Sequence, residues 1–360
     1  MSVAGEKSAS PRAAKAPARK IVNLALQGGG SHGAYAWGAL DALIEDERVE
    51  IGAISGASAG AMNAVVYADG LMASGREGAR RKLHEFWLSV SEEGSLSPAQ
   101  RRLFDVWLRA WSSALPQASA AWDALSQFAS PYEFNPLDVN PLRDHLSRIV
   151  DFEALRRDHE LQLFIAATNV RTGRGEIFRR DVLTVEHVMA SACLPRLFQS
   201  VVIAGVPYWD GGFAGNPPLW PLFYETRCRD AIIVQINPIE RSQTPRTAQE
   251  IADRMNEITF NAGLLAELRA ADFVARLIDR GVLRDDGYRR ENLHRIGGDG
   301  ELESFTAASK MDVSWTFLTR LRDLGREAAK DWLARNYDSI GVRSTLDIDR
   351  ALARTKVSDS

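Results

Sequence analysis

A serine set among small residues, directly behind an apolar run, is the first feature of this chain that could do chemistry. Ser58 lies in GASAG over 56–60, a G-x-S-x-G pattern preceded by IGAIS and followed by residues that favour a helix. At a sharp strand-to-helix turn a serine exposes its Oγ, and the crowded turn needs small neighbours, here Gly56 and Gly60. The helix behind such a turn offers positive dipole potential to developing negative charge. The same five residues also suit a small-residue turn that merely packs a helix onto a sheet. The pentapeptide alone leaves both readings open.

A second glycine cluster, GGGSHG over 28–33, follows the apolar run at 21–27. Successive glycines let backbone N–H groups converge on one point, which suits an oxyanion; Gly28, Gly29 and Gly30 are the candidate donors. Gly28, Gly30 and Gly33 also match G-x-G-x-x-G, the mark of a nucleotide- or dinucleotide-binding oxidoreductase. That fold needs an acidic residue at the end of its second strand to hold the ribose hydroxyls. Here the second apolar run ends at Ser55 and Ser58, and Glu50 stands before it, at the wrong end. No GxxxxGK[ST] pattern occurs. A non-catalytic acyl-binding protein with a degenerate site is the other alternative.

A serine nucleophile needs a base. Asp210 opens DGG over 210–212 at the end of an apolar stretch; taken alone, such a sequence is as readily a plain turn. The three motifs GGGxxG, GxSxG and DG[GA] occur here in one order, and with them the chain resembles the patatin-like phospholipase family. The resemblance covers roughly 21–240 and includes ASACLP over 190–195 and NPP over 216–218.

That resemblance implies a three-layer α/β/α fold with a mainly parallel central sheet, distinct from the α/β-hydrolases. It implies a Ser–Asp dyad of Ser58 and Asp210 without a catalytic histidine, no cofactor and no metal. The implied reaction is hydrolysis of a lipid acyl ester (phospholipid, lysophospholipid or other) through an acyl-enzyme, with Asp210 taking the serine proton. An ordinary aspartate, with a pKa of about 3.9, is a weak base, so its surroundings must tune it. One departure stands out. Many members carry an arginine or lysine in the glycine loop, where this chain has Ser31 and His32. His32 is a candidate headgroup contact when protonated, a candidate base in a Ser–His arrangement, or a helix-start histidine facing solvent.

The elements that must position these residues follow from the hydropathy pattern. Strands are expected at 21–27, 51–55, 161–167, 175–178 and 230–236, with a hairpin of 201–204 and 206–209 leading into Asp210. Helices are expected over 33–46 and 59–68, the second ended by Gly70. Alternating strands and helices predict a parallel sheet covered by helices. The stretch 91–145 reads as a helical insertion. In it Trp107, Leu108, Trp111 and Leu115 share a face, which suits either core packing or a lid that meets lipid. Residues 241–360 read as a mainly helical extension packed on the same domain, with a stripe at Trp315, Leu318, Leu321, Ala328 and Trp332.

Composition bounds the rest. A net charge of -3 gives no basis for a nucleic-acid partner. Two cysteines provide no disulfide framework and fit a reducing, cytoplasmic compartment with peripheral membrane contact at most. The basic stretch 1–20 has no apolar core and reads as a disordered tail or a basic arm for anionic lipid. Oligomeric state leaves no mark in the sequence.

Overall fold

The apolar runs become the strands of one eight-stranded sheet in the computed structural model, which describes residues 19–91, 130–195, 198–283, 288–297, 302, 305, 309–310 and 312–352. The strands are β1 (Lys20–Leu26), β2 (Val49–Gly56), β3 (Gln162–Asn169), β4 (Gly175–Arg179), β5 (Val201–Ile203), β6 (Val206–Asp210), β7 (Asp230–Gln235) and β8 (Asn292–Gly297). Their order is β5-β6-β3-β2-β1-β7-β8, with β4 paired to β3. The run from β8 through β7, β1 and β2 to β3 is parallel, and β4 and β6 lie antiparallel to β3.

The strands alternate even though both faces are buried. Val22, Leu24 and Leu26 of β1 belong to one core cluster, while Ala25 belongs to the other. The first face is covered by α1 (Gly33–Glu45), α2 (Ala59–Val90), α4 (Pro141–Ile149), α5 (Phe152–Arg157) and α6 (Val185–Ser191), and by α9 (Trp315–Asn336) beyond them, while α3 (Pro131–Phe134) is a short helical turn that precedes α4. On the second face lie α7 (Trp220–Glu225) and α8 (Ala248–Asp279), contributing Leu222, Leu264 and Leu268. Three layers result, a mixed α/β fold with the sheet in the middle.

The pairing around β3 positions the chemistry. One edge of β3 is taken by β4. On the other edge β2 runs parallel and stops with Gly56 opposite Ile165, and β6 runs antiparallel and stops with Asp210 opposite Ala167. Two strands therefore meet head-on along one edge, and their C-terminal ends face each other across Ala166. A side chain on Gly211 would drive into the Ala166 carbonyl, so only glycine turns the chain there.

One expectation changes. The second helix does not end at Gly70: α2 continues to Val90, with non-helical backbone only at Ser74 and Gly75. Gly70 is needed for contact instead, since a Cβ there would lie 2.5 Å from the Gly78 carbonyl oxygen. Beyond 240 the described residues contain, besides helices, the strand β8, which extends the sheet beside β7. In the stretch 91–145, Trp107, Leu108, Trp111 and Leu115 lie outside the described residues, as does most of the tail.

α9 lies along α1 at backbone contact. Gly38 faces the Arg322 carbonyl and Gly325 faces the Tyr35 carbonyl, each too close for any side chain. Lys20 closes the arrangement by donating from Nζ to the carbonyls of Tyr337 and Ile340, both at 3.0 Å. Among the described residues no helix is long and apolar enough to cross a membrane.

Candidate active site

Ser58 is the hinge between β2 and α2, at φ 54 and ψ -123. A non-glycine residue in that region costs about 1–3 kcal/mol, which the surroundings must hold in place. They do so through contacts that exclude side chains. A Cβ on Gly56 would stand 2.7 Å from the backbone of Gly60, and one on Gly60 would strike the Leu26 carbonyl. The Ser58 N–H donates to Ser191 Oγ at 3.0 Å, tying the turn to the end of α6.

Asp210 is fully buried at the end of β6. Its backbone is pinned on both sides: its N–H donates to the Cys193 carbonyl at 2.7 Å, and Thr168 Oγ1 donates to its carbonyl at 2.8 Å. The Gly212 N–H donates to Oδ1 at 2.7 Å. Oδ2 has no hydrogen-bond partner, and neither has the buried Ser58 Oγ. Burial pushes the Asp210 carboxyl up to about 7, opposed by the Gly212 N–H and then by the Ser58 hydroxyl. The hydroxyl thus acts on the carboxylate although the two do not close into an aligned hydrogen bond. The pair lies below the surface, with Ser58 at 1% exposure and Asp210 at 0%.

The glycine loop passes directly against the serine. A Cβ on Gly28 would stand 2.6 Å from the Ala57 carbonyl oxygen and 2.7 Å from Ser58 Cβ. Gly30, at φ 61, starts a tight turn through His32 that feeds α1. Behind the loop is a buried amide network. Gln27 Oε1 accepts the N–H groups of Ile236 and Asn237, each at 2.8 Å, and its Nε2 donates to the Asn216 carbonyl and to Asn261. The Gly28 N–H is occupied by Asn216 Oδ1 at 2.6 Å, and the Gly28 carbonyl accepts from Asn237 Nδ2 at 2.8 Å. Of the three glycines expected to donate, Gly28 therefore has its N–H committed elsewhere.

His32 does not face solvent. It is buried against Phe305 and Phe317, and its Nε2 lies 2.8 Å from Ser309 Oγ. Burial, with the nearby charges of Lys310 and Arg241, holds its pKa well below the ordinary value, so the ring is neutral. A neutral ring committed to Ser309 offers no cation to a headgroup.

A histidine–carboxylate pair does occur, His294 Nε2 with Asp230 at 3.0 Å, but Asp230 opens β7 at the opposite end of the sheet from Ser58. Among the described residues no three His, Cys, Asp or Glu side chains cluster as metal ligands. Asn216, Asn237, Ser191 and Lys310 were missed as site residues. Asn216 and Ser191 fall within NPP and ASACLP, and reading those runs as supports for the dyad would have found them. Nothing local marks Asn237 or Lys310.

A model of the family described as patatin-like phospholipase matches residues 24–223, more than half of the chain. No curated protein sequence matches. VipD from Legionella pneumophila aligns at 18% identity over 89% of this chain and 67% of its own, with a TM-score of 0.40. The type III effector ExoU aligns at 13% identity over 88% of this chain and 54% of its own, with a TM-score of 0.34. ExoU of Pseudomonas aeruginosa in complex with SpcU gives 14% identity over 87% of this chain and 53% of that one, with a TM-score of 0.30. With the family match spanning both the serine turn and the aspartate turn, the chain belongs to the patatin-like phospholipase family.

Proposed function

We propose that this protein hydrolyses acyl esters of lipids through a Ser58–Asp210 dyad. The supporting observation is the pair of buried, unpartnered oxygens, Ser58 Oγ and Asp210 Oδ2, at the facing ends of β2 and β6. Buried polar atoms are nearly always satisfied, and exceptions concentrate where chemistry needs a free group. A carboxyl raised to about 7 is also a far better base than an exposed aspartate.

In this reading Asp210 takes the hydroxyl proton as Oγ bonds to the ester carbonyl carbon. The tetrahedral oxyanion is held by the N–H groups of Gly29 and Gly30, since Gly28 donates to Asn216. Collapse breaks the bond to the alcohol oxygen, and Asp210 returns the proton to that leaving group. Water then attacks the acyl-enzyme by the same route and releases the fatty acid. Contact with the lipid surface is peripheral.

Labelling by a fluorophosphonate probe tests the assignment. The wild-type protein becomes labelled and Ser58→Ala does not. Equal labelling of both proteins overturns Ser58 as the nucleophile.

A further inference from the structure

Lys310 is a lysine with almost no contact with water, at 5% exposure, and the dyad mechanism does not use it. Its Nζ donates to Asn237 Oδ1 at 2.7 Å, and Asn237 in turn donates from Nδ2 to the Gly28 carbonyl at 2.8 Å. The Gly28 carbonyl and the Gly29 N–H belong to one peptide unit. Drawing electron density toward the carbonyl oxygen makes that N–H a stronger donor, since hydrogen bonds in series polarise one another where the dielectric is low. The Lys310 backbone also lies against the loop, since a Cβ on Gly30 would stand 2.9 Å from the Lys310 carbonyl oxygen.

Resting on the hydrolase reading, we propose that Lys310 is a positioning residue for catalysis: its ammonium, acting through the Asn237 amide and the Gly28–Gly29 peptide, strengthens the Gly29 N–H that receives the oxyanion. The loop has Ser31 and a neutral His32 and so contains no cation of its own. A lysine far along the chain supplies the positive charge from behind.

The charged surroundings keep the ammonium titratable. Burial lowers the Lys310 pKa to about 8, opposed by Glu257 and Asp253 of α8, while Arg241 adds to the lowering. Glu257 is itself held anionic by Arg241, at 2.5 Å, and Arg254, at 3.0 Å. His32, the other titratable neighbour, is neutral throughout this range. The relay is therefore charged below about 8 and discharged above it.

The test is kcat on a short soluble ester from pH 6 to 10, with the fold monitored by circular dichroism at each pH. In the wild-type protein kcat falls about tenfold above pH 8, less than the roughly 10²–10³ lost when an oxyanion donor is removed outright. Lys310→Met shows the lower plateau with no fall, and KM unchanged. Lys310→Arg keeps the high plateau past pH 9.

A folded Lys310→Met with wild-type kcat and an unchanged alkaline limb overturns the proposal. So does Lys310→Arg with its limb still near 8. Should neither variant fold, a wild-type kcat that is flat from pH 7.5 to 9.5 overturns it. A merely structural lysine would shift thermal stability and leave these profiles alone. Wild-type protein that labels at Ser58 yet fails these outcomes loses the relay and keeps the hydrolase. Protein that neither labels nor turns over loses both.

Discussion

Two buried aspartates, one at each end of the sheet, show how differently surroundings can treat a carboxylate. Asp230 opens β7 and takes three donors on Oδ1, the Gly341 N–H at 2.8 Å, His294 Nε2 at 3.0 Å and Asn292 Nδ2 at 3.2 Å. Asp210 closes β6 with one donor on Oδ1 and nothing on Oδ2. Burial raises the pKa of both. At Asp230 the His294, Gly341 and Asn292 hydrogen bonds outweigh it and the net shift is downward, whereas at Asp210 burial wins and the carboxyl reaches about 7. Depth alone does not separate the two residues; the number of donors around each carboxylate does.

The widest expected contrast is in activity. Ser58→Ala and Asp210→Asn should each lower kcat on a soluble ester by about 10³–10⁴, with the double variant little worse than either single one. Asp230→Ala should leave kcat per folded molecule near wild type. Losses that simply multiply in the double variant would show that the two residues share no step. A comparable kcat loss in Asp230→Ala would erase the contrast.

Stability should invert it. Asp230→Ala removes the acceptor shared by three donors and is expected to cost about 2–4 kcal/mol in denaturant unfolding at pH 7. Asp210→Asn should cost nothing there. Its sign follows from linkage: a carboxyl raised in the folded state lets the fold hold a proton the unfolded chain has lost. Stability therefore declines as pH rises from the unfolded value of about 4 through 7. Asp210→Asn should raise Tm above wild type at pH 8 and leave it unchanged at pH 4. The Asp230 contribution runs oppositely, present at neutral pH and lost as the pH drops through its depressed folded value.

Activity against pH gives a smaller signal, an acid limb in kcat/KM near 7 from Asp210. A limb below 5 would mean that substrate-free Asp210 is better solvated than its burial implies. The smallest effect is expected from His32→Gln, which keeps a polar partner for Ser309 Oγ. Its kcat should stay within about tenfold of wild type, with a destabilisation of about 1 kcal/mol. A loss matching that of Asp210→Asn would make the imidazole the base.

The sequence made the ends of the strands legible because each motif sits where an apolar run stops. Ser58, Asp210 and the glycine loop could be named from such boundaries. It did not reveal that β6 returns antiparallel on the edge of β3 where β2 stops, because strand pairing is a long-range choice with no local signature. The same blindness hid Asn237 and Lys310, which reach the loop only through β7 and the chain beyond β8. His32 was read from its neighbours in sequence, whereas its surroundings are made by Phe305, Ser309 and Phe317. Gly70 looked like a stop because helix-ending and close-packing glycines share one letter.

The backbone contact between α1 and α9 sets an order of events during synthesis. A ribosome delivers the glycine loop, α1 and the serine turn well before α9, which follows tens of seconds later at about 5–20 residues per second. Until Gly325 arrives beside Tyr35, and Lys20 finds the carbonyls of Tyr337 and Ile340, α1 lacks a neighbour that it needs. The nascent chain thus carries Ser58 long before it can hold the surrounding loop in register. Released fragments ending before residue 315 should be inert toward esters and prone to proteolysis.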